Sequence, residues 1–128
     1  MRLFKKIRGA GIFTSMFGGG GWHTKDCVVN DESVEWTKLV EGKHVKHKDE
    51  GSMRTQNLKG AHVAELKEEE LPAEVAKFLG SSDFKFYVVL ISSPEIPGHP
   101  LEFGYVDEGM MTAFRENVQM AINKANGV

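Results

Sequence analysis

The chain has 128 residues, of which 41% are hydrophobic and 27% are charged, with a formal net charge of −2. This length and composition indicate a single globular domain that is long enough to bury its own core. The one cysteine, Cys27, excludes an intrachain disulfide and a zinc site built from several cysteines, and it suits a reducing compartment.

The charge is unevenly distributed along the chain. Residues 1–25 hold five basic and no acidic residues, a net of +5. The remaining residues hold eleven basic and eighteen acidic ones, a net of −7. This asymmetry predicts a basic N-terminal arm, residues 1–25, followed by an acidic domain, residues 26–128.

The start of the arm differs from a secretory signal. Its apolar stretch, residues 9–17, is interrupted by Gly11, Thr14 and Ser15, and no small-residue cleavage site follows. The stretch is also shorter than the roughly 20 apolar residues that span a bilayer. We therefore expect neither a signal peptide nor a transmembrane helix here, and we expect a location inside the cell or in a virion.

Four consecutive glycines, residues 18–21, raise the question of a phosphate-binding loop. A Walker loop needs lysine and then a hydroxyl residue directly after its last glycine, but Lys25 lies four positions beyond Gly21. The dinucleotide pattern G-x-G-x-x-G also fails, because Thr14 and His23 stand where its third glycine is required. We therefore predict no nucleotide or other cofactor.

Beyond the arm, hydrophobic patterns predict four strands. They are a short apolar run at 27–30, an alternating segment at 33–40, a return strand at 43–48, and a segment at 58–66. The polar stretch 49–57, which contains glycine and serine, is predicted to be a loop.

The second half of the chain alternates helices and strands. Pro72 and Gly80 enclose a first predicted helix, and the apolar run 84–91 predicts a central strand covered on both faces. Residues 101–106 predict a strand paired with that run, and Asp107 is the expected N-cap of a last helix. The fold class is therefore α+β, a mostly antiparallel sheet with two helices packed on one side.

Two groups of residues raise the question of chemistry. Cys27 could act as a nucleophile with His23 as its base, but a free cysteine that opens an apolar strand is more often buried. His44 and His47, with His62, could supply metal ligands, but residues three apart on a strand point to opposite faces. We therefore predict no catalytic, cofactor-binding or metal-ligating residue.

The arm is too apolar to be a solvated tail, and its glycines prevent a self-sufficient helix. We predict that it buries apolar side chains against a surface, with the glycine run giving it reach. The sequence leaves open whether that surface belongs to its own domain, a neighbouring copy, another subunit or a membrane. The predicted partner-binding residues are Phe4, Ile7, Ile12, Phe13, Phe17 and Trp22.

These patterns favour a non-enzymatic structural or interaction subunit of a larger assembly, docked partly through its arm. Small virion or bacteriophage structural proteins with extended arms are one class that fits. One alternative is a peripheral nucleic-acid or membrane binder that uses the basic arm, and another is a small enzyme that uses Cys27 with a histidine. Basic residues over 43–59 would suit phosphate contacts, although a charged sheet edge that discourages aggregation is the simpler explanation.

Overall fold

The computed structural model describes residues 1–7, 21–40, 43–44, 53–94 and 99–128. In this part of the chain, eight strands form an antiparallel sheet against which two helices pack, so the predicted α+β class is confirmed. The strands are β1 (Arg2–Ile7), β2 (Gly21–Val29), β3 (Ser33–Val40), β4 (Lys43–His44), β5 (Met53–Asn57), β6 (Glu65–Glu69), β7 (Phe86–Ile91) and β8 (Leu101–Tyr105). The helices are α1 (Ala73–Leu79) and α2 (Glu108–Ala125).

Across the sheet the strand order is β4-β3-β2-β1-β8-β7-β6, and β5 also pairs with β3. All of these pairings are antiparallel. The first strand of the chain therefore lies in the middle of the sheet. It joins the β2–β3 half to the β7–β8 half.

The position of β1 corrects the predicted division of the chain at residue 25. β1 pairs with β2 along its whole length, and Phe4 also pairs with Gly104 of β8. Leu3 and Phe4 are 0% and 2% exposed, because successive side chains of a central strand are buried on opposite faces. Residues 1–7 and 21–25 thus belong to the sheet of the domain, and the predicted boundary falls inside β2.

The helices lie on opposite faces of the sheet, whereas the sequence predicted both on one side. Leu3 packs in a cluster with Phe114 of α2, while Phe4 packs in a second cluster with Val75 of α1. Since Leu3 and Phe4 are neighbours on one strand, the two clusters occupy opposite faces. We refer to these as the α2 face and the α1 face.

Helix α2 forms as predicted. The Asp107 side chain accepts a hydrogen bond from the Met110 backbone N–H at 2.9 Å, which satisfies one of the free amides at the helix start. One stripe of the helix is buried against the sheet: Met111, Phe114, Val118, Ala121 and Ile122. The helical spacing of the apolar residues therefore correctly predicted which face of α2 is buried.

The predicted strands at 33–40, 84–91 and 101–106 are confirmed within one or two residues, and β7 pairs with β8 as expected. Buried residues such as Val88 and Val89 lie on both faces of β7, which confirms that this strand is covered on both sides.

The segment between β3 and α1 differs from the prediction. Residues 53–57 were expected in a loop but form β5, and β6 begins only at Glu65, near the end of the strand predicted at 58–66. β5 is polar because it lies at the edge of the sheet, where Thr55 and Asn57 remain exposed. An edge strand of this kind lacks the alternating apolar pattern by which strands are recognised.

Candidate interaction site at the β1–β2 hairpin

The β1–β2 hairpin ends at a backbone pair formed by Ile7 and Gly21. A loop of two to five residues ordinarily connects such a pair, but here residues 8–20 lie between the two positions. Gly21 has a φ of 119°, a conformation that favours glycine. The predicted partner-binding residues Ile12, Phe13 and Phe17 belong to this connection and lie outside the described residues, as does the Ile7 side chain.

An aromatic cluster fixes the strands near the end of the hairpin on the α1 face. The Phe4 ring stacks on Tyr105 with centroids 5.7 Å apart, and Trp22 meets Phe86 edge-on at 4.9 Å. The Trp22 backbone N–H donates to Glu74 Oε1 of α1 at 3.1 Å. Packed aromatic residues, Phe4 and Trp22, therefore lie close to both ends of the connection.

Close approach within this cluster depends on a glycine in β8. Phe86 lies directly over Gly104, and a Cβ atom at that position would overlap the Phe86 ring. The ring also contacts Phe4, with centroids 6.4 Å apart. Gly104 thus allows three aromatic side chains, those of Phe4, Trp22 and Phe86, to pack against the middle of the sheet.

Two predicted partner-binding residues are instead part of the protein's own core. Phe4 is 2% exposed and Trp22 is 8% exposed, because each points to the α1 face beneath helix α1. For these two residues the prediction of a partner contact is wrong. Of the surfaces left open by the sequence, the chain's own domain is the one that covers them.

Phe78 of α1 is an exposed aromatic residue. Its helical spacing from Val75 and Leu79 is typical of a core position, and Val75 is indeed buried, yet Phe78 is 65% exposed. One edge of its ring meets Phe4 with centroids 5.4 Å apart. Helical spacing could not reveal this exposure, because it depends on how little of the sheet the seven-residue α1 covers.

The lysines of β1 make contacts within the domain. Lys5 is only 7% exposed, its ammonium lies 4.4 Å from the centroid of the Trp36 ring, and it donates to the Lys6 carbonyl at 3.2 Å. An ammonium over an indole face is favoured electrostatically. Lys6 lies 3.9 Å from the carboxylate of Glu102. These two charges of the predicted basic arm therefore stabilise the sheet.

The geometry around Cys27 does not support a nucleophile. Cys27 is 2% exposed on the α2 face, and burial raises the pKa of its thiol from 9.0 to about 12. A thiol must lose its proton to act as a nucleophile. His23 precedes Cys27 by four residues on the same strand, which separates their backbones by about 13 Å.

We expect the Cys27 thiol of the folded protein to react with a disulfide reagent at about pH 8 roughly a thousandfold more slowly than the thiol of the unfolded chain. A pKa of about 12 instead of 9.0 lowers the thiolate fraction by about that factor. Absorbance of the released thiol reagent, with and without urea, measures both rates. Equal rates would show an accessible thiolate and would revive the enzyme alternative.

No group of three or more His, Cys, Asp or Glu side chains within the described ranges is arranged to hold a metal ion. Of the three histidines considered above, His62 is exposed ahead of β6 and His44 lies in β4. His47 lies outside the described residues. The described part of the chain thus offers no zinc ligand set.

A depression of about 500 Å³ lies between the β2–β3 turn and the C-terminal part of α2. Its lining combines apolar side chains such as Val29 and Met120 with the amides of Asn30, Asn117 and Asn123. The charged side chains in the lining, Asp31 and Lys124, pair with each other at 3.2 Å. This composition suits packing and hydrogen bonding better than acid–base chemistry.

No protein-family model and no curated protein sequence matches this chain. Neither α1 nor α2, the helices in the described ranges, combines the length and the apolar character that crossing a membrane would need. What the protein does is therefore inferred from its own residues and their arrangement.

Proposed function

We propose that the protein is a non-enzymatic interaction subunit of a larger assembly, and that it docks through the connection between β1 and β2. The observation that carries this proposal is the pairing of Ile7 with Gly21, between which the chain inserts thirteen residues, 8–20. Most hairpin connections have two to five residues, and a longer segment between two paired strands is often functional. The proposed docking segment is therefore an insertion in the β1–β2 hairpin and not a free N-terminal arm.

The composition of the connection supports a protein partner. It contains Ile12, Phe13, Met16 and Phe17 and one charged residue, Arg8. Apolar side chains contribute to binding when they leave water, by about 1.5–3 kcal/mol for a fully buried phenylalanine. The connection therefore has the makeup of a contact surface for a neighbouring copy or another subunit.

Exposed Phe78 supplies a second apolar element, close to β1. Its ring contacts Phe4, and Phe4 precedes Ile7, the end of β1, by about 10 Å of strand. A partner that covers the connection would thus have an exposed aromatic ring of the domain within reach. Aromatic side chains, phenylalanine among them, are enriched in the cores of protein interfaces.

The alternatives receive less support from the described residues. Lys5 and Lys6, two of the basic residues expected to contact phosphates, interact with Trp36 and Glu102 inside the domain. Cys27, the candidate nucleophile of the enzyme alternative, is buried with a raised pKa. An apolar docking role, in contrast, uses the apolar residues of segment 8–20 and the exposed Phe78.

The proposal is tested by replacing both Phe13 and Phe17 with Ser and measuring association at about 0.5 M salt, where charge contacts are largely screened. Losing two buried phenylalanines should weaken the contact by about two to four powers of ten. Light scattering measures association between copies, and co-sedimentation with proteins of the source cell measures association with another subunit.

Phe84→Ser is the matched control, because Phe84 is an exposed phenylalanine outside the connection. It should associate as the unaltered protein does. Equal association of the double variant would contradict the proposal. Binding of the unaltered protein to duplex DNA or anionic vesicles that disappears as salt rises would instead support the nucleic-acid or membrane alternative.

A further inference from the structure

The sheet ends on one side in an acidic edge strand. Within the described part of the chain, β6 pairs with β7 and with no other strand. It carries three glutamates, at positions 65, 68 and 69, and one lysine, and all four of these side chains are exposed. Such an edge presents unpaired backbone N–H and C=O groups to which another strand can add.

The opposite end of the sheet is basic. There β4 and β5 both pair with β3, and in the described ranges neither pairs with a further strand. β4, β5 and the turn after β5 contribute Lys43, Arg54 and Lys59, and these segments contain no acidic residue. By sequence, β6 has three glutamates and one lysine, a net charge of −2, and the basic segments have a net charge of +3. Glu65 lies 3.8 Å from Lys67 and Glu68 lies 3.7 Å from Lys85, so the two edges differ in the sign of their net charge.

This distribution favours contact between unlike edges over contact between like edges. If β6 paired antiparallel with β6 of another copy along all five residues, Glu65 would lie opposite Glu69 at both ends and Lys67 opposite Lys67 in the middle. Like charges directly opposite each other destabilise a strand pair, whereas opposite charges stabilise it. Charge thus disfavours a symmetric β6 dimer.

We infer that a second copy of this chain docks head to tail, with its β5 edge against the β6 edge of the first copy. The inference rests on the proposed function as an assembly subunit and names one contact between neighbouring copies. β5 and β6 run in the same direction, because six antiparallel pairings separate them. Copies that face the same way therefore pair these strands in parallel, and the sheet continues from copy to copy.

The surroundings of β6 leave room for an added strand. A depression of about 470 Å³ lies between β6 and α2, lined by Glu65, Leu66, Lys67, Thr112 and Arg115. Side chains of an incoming strand that point to the α2 face can enter this space. Because the two edges differ, the contact is heterologous, and repeated contacts of this kind form rings or filaments.

The test uses two full-length charge-reversal variants. The first combines Glu65→Lys with Glu69→Lys and makes both edges basic, and the second combines Arg54→Glu with Lys59→Glu and makes both edges acidic. At about 0.05 M salt, where charge interactions reach beyond 10 Å, sedimentation velocity should show each variant associating about ten- to a few hundredfold more weakly than the unaltered chain. An equimolar mixture of the two should regain association, because each acidic edge again meets a basic one.

The matched control reverses two exposed acidic residues outside β6, Asp83→Lys with Glu116→Lys, and it should associate as the unaltered chain does. Circular dichroism of each variant confirms that the fold is retained. No association of the unaltered chain, no recovery on mixing, or an acidic-edge variant that still associates with itself would each overturn the inference.

These outcomes are separate from those that test the proposed function. If the Phe13→Ser, Phe17→Ser variant dissociates while both edge variants associate normally, the edge contact is wrong and docking through the connection stands. If the edge variants recover on mixing while the phenylalanine variant keeps full association, the edge contact stands and docking through the connection is wrong.

Discussion

A chain that begins at Thr24 is expected to be unfolded. It lacks β1, so β2 and β8 lose the strand that lies between them. It also lacks Leu3, Phe4 and Trp22, which are buried in the two clusters. Replacing a buried leucine or phenylalanine by alanine costs about 2–5 kcal/mol, and a whole domain is stable by only about 5–15 kcal/mol. Removing three such residues together with a central strand therefore exceeds what the domain can lose.

Near-ultraviolet circular dichroism and thermal melting measure this loss. The truncated chain should show no near-ultraviolet signal and no cooperative transition. Two substitutions in the full-length chain show whether the loss comes from the packing of β1 and not simply from a shorter chain. Leu3→Ala should lower the free energy of unfolding by about 2–5 kcal/mol, whereas Lys6→Ala, at a partly exposed position of the same strand, should lower it by about 1 kcal/mol or less. A cooperative melt of the truncated chain would contradict the central position of β1.

The elements predicted correctly are those whose structure is indicated by residues that are neighbours in the sequence. The apolar stripe of α2 and its Asp107 cap are local features, and the apolar run of β7 is too short and too rich in β-branched residues for a helix. In these segments, residues close together in the sequence are enough to indicate a helix or a strand. Local pattern therefore sufficed for the α+β class and for the β7–β8 pair.

β1 was missed because its sequence, RLFKKI, places two consecutive lysines in a central strand. Burial of Lys5 depends on the Trp36 ring, which lies 31 positions further along the chain and two strands away in the sheet. No pattern among neighbouring residues can predict this contact between Lys5 and Trp36. The same applies to helix placement, because the side of the sheet that a helix covers depends on contacts between residues far apart in the sequence, such as those of Val75 in the cluster with Phe4.

The candidate site was predicted only in part. Apolar residues and glycines in the first 25 residues pointed to an unusual segment, but composition alone did not separate Phe4 and Trp22, which are in the core, from Phe13 and Phe17, which lie between the two strands. That separation follows from the register Ile7–Gly21. Exposure of Phe78 likewise follows from the short length of α1.

Shortening the hairpin should abolish docking while leaving the domain folded. Because Ile7 and Gly21 pair directly, residues 8–20 can be replaced by Asn-Gly, a two-residue turn that matches the twist of paired strands. The replacement joins β1 and β2 through two residues instead of thirteen, and for a flexible chain that difference lowers the entropy cost of closure by about 1–2 kcal/mol. We therefore expect the melting temperature to stay the same or to rise by a few degrees.

The most direct test of the proposed function is the association of this Asn-Gly variant, measured by light scattering and co-sedimentation at about 0.5 M salt beside the unaltered chain. The matched control replaces residues 8–20 with a glycine-serine segment of the same length, which keeps the loop length and removes the apolar side chains. We predict that both variants melt cooperatively and that neither associates. Full association of either variant would contradict docking through the β1–β2 connection, and so would a large drop in melting temperature, because that would assign residues 8–20 to the core of the domain.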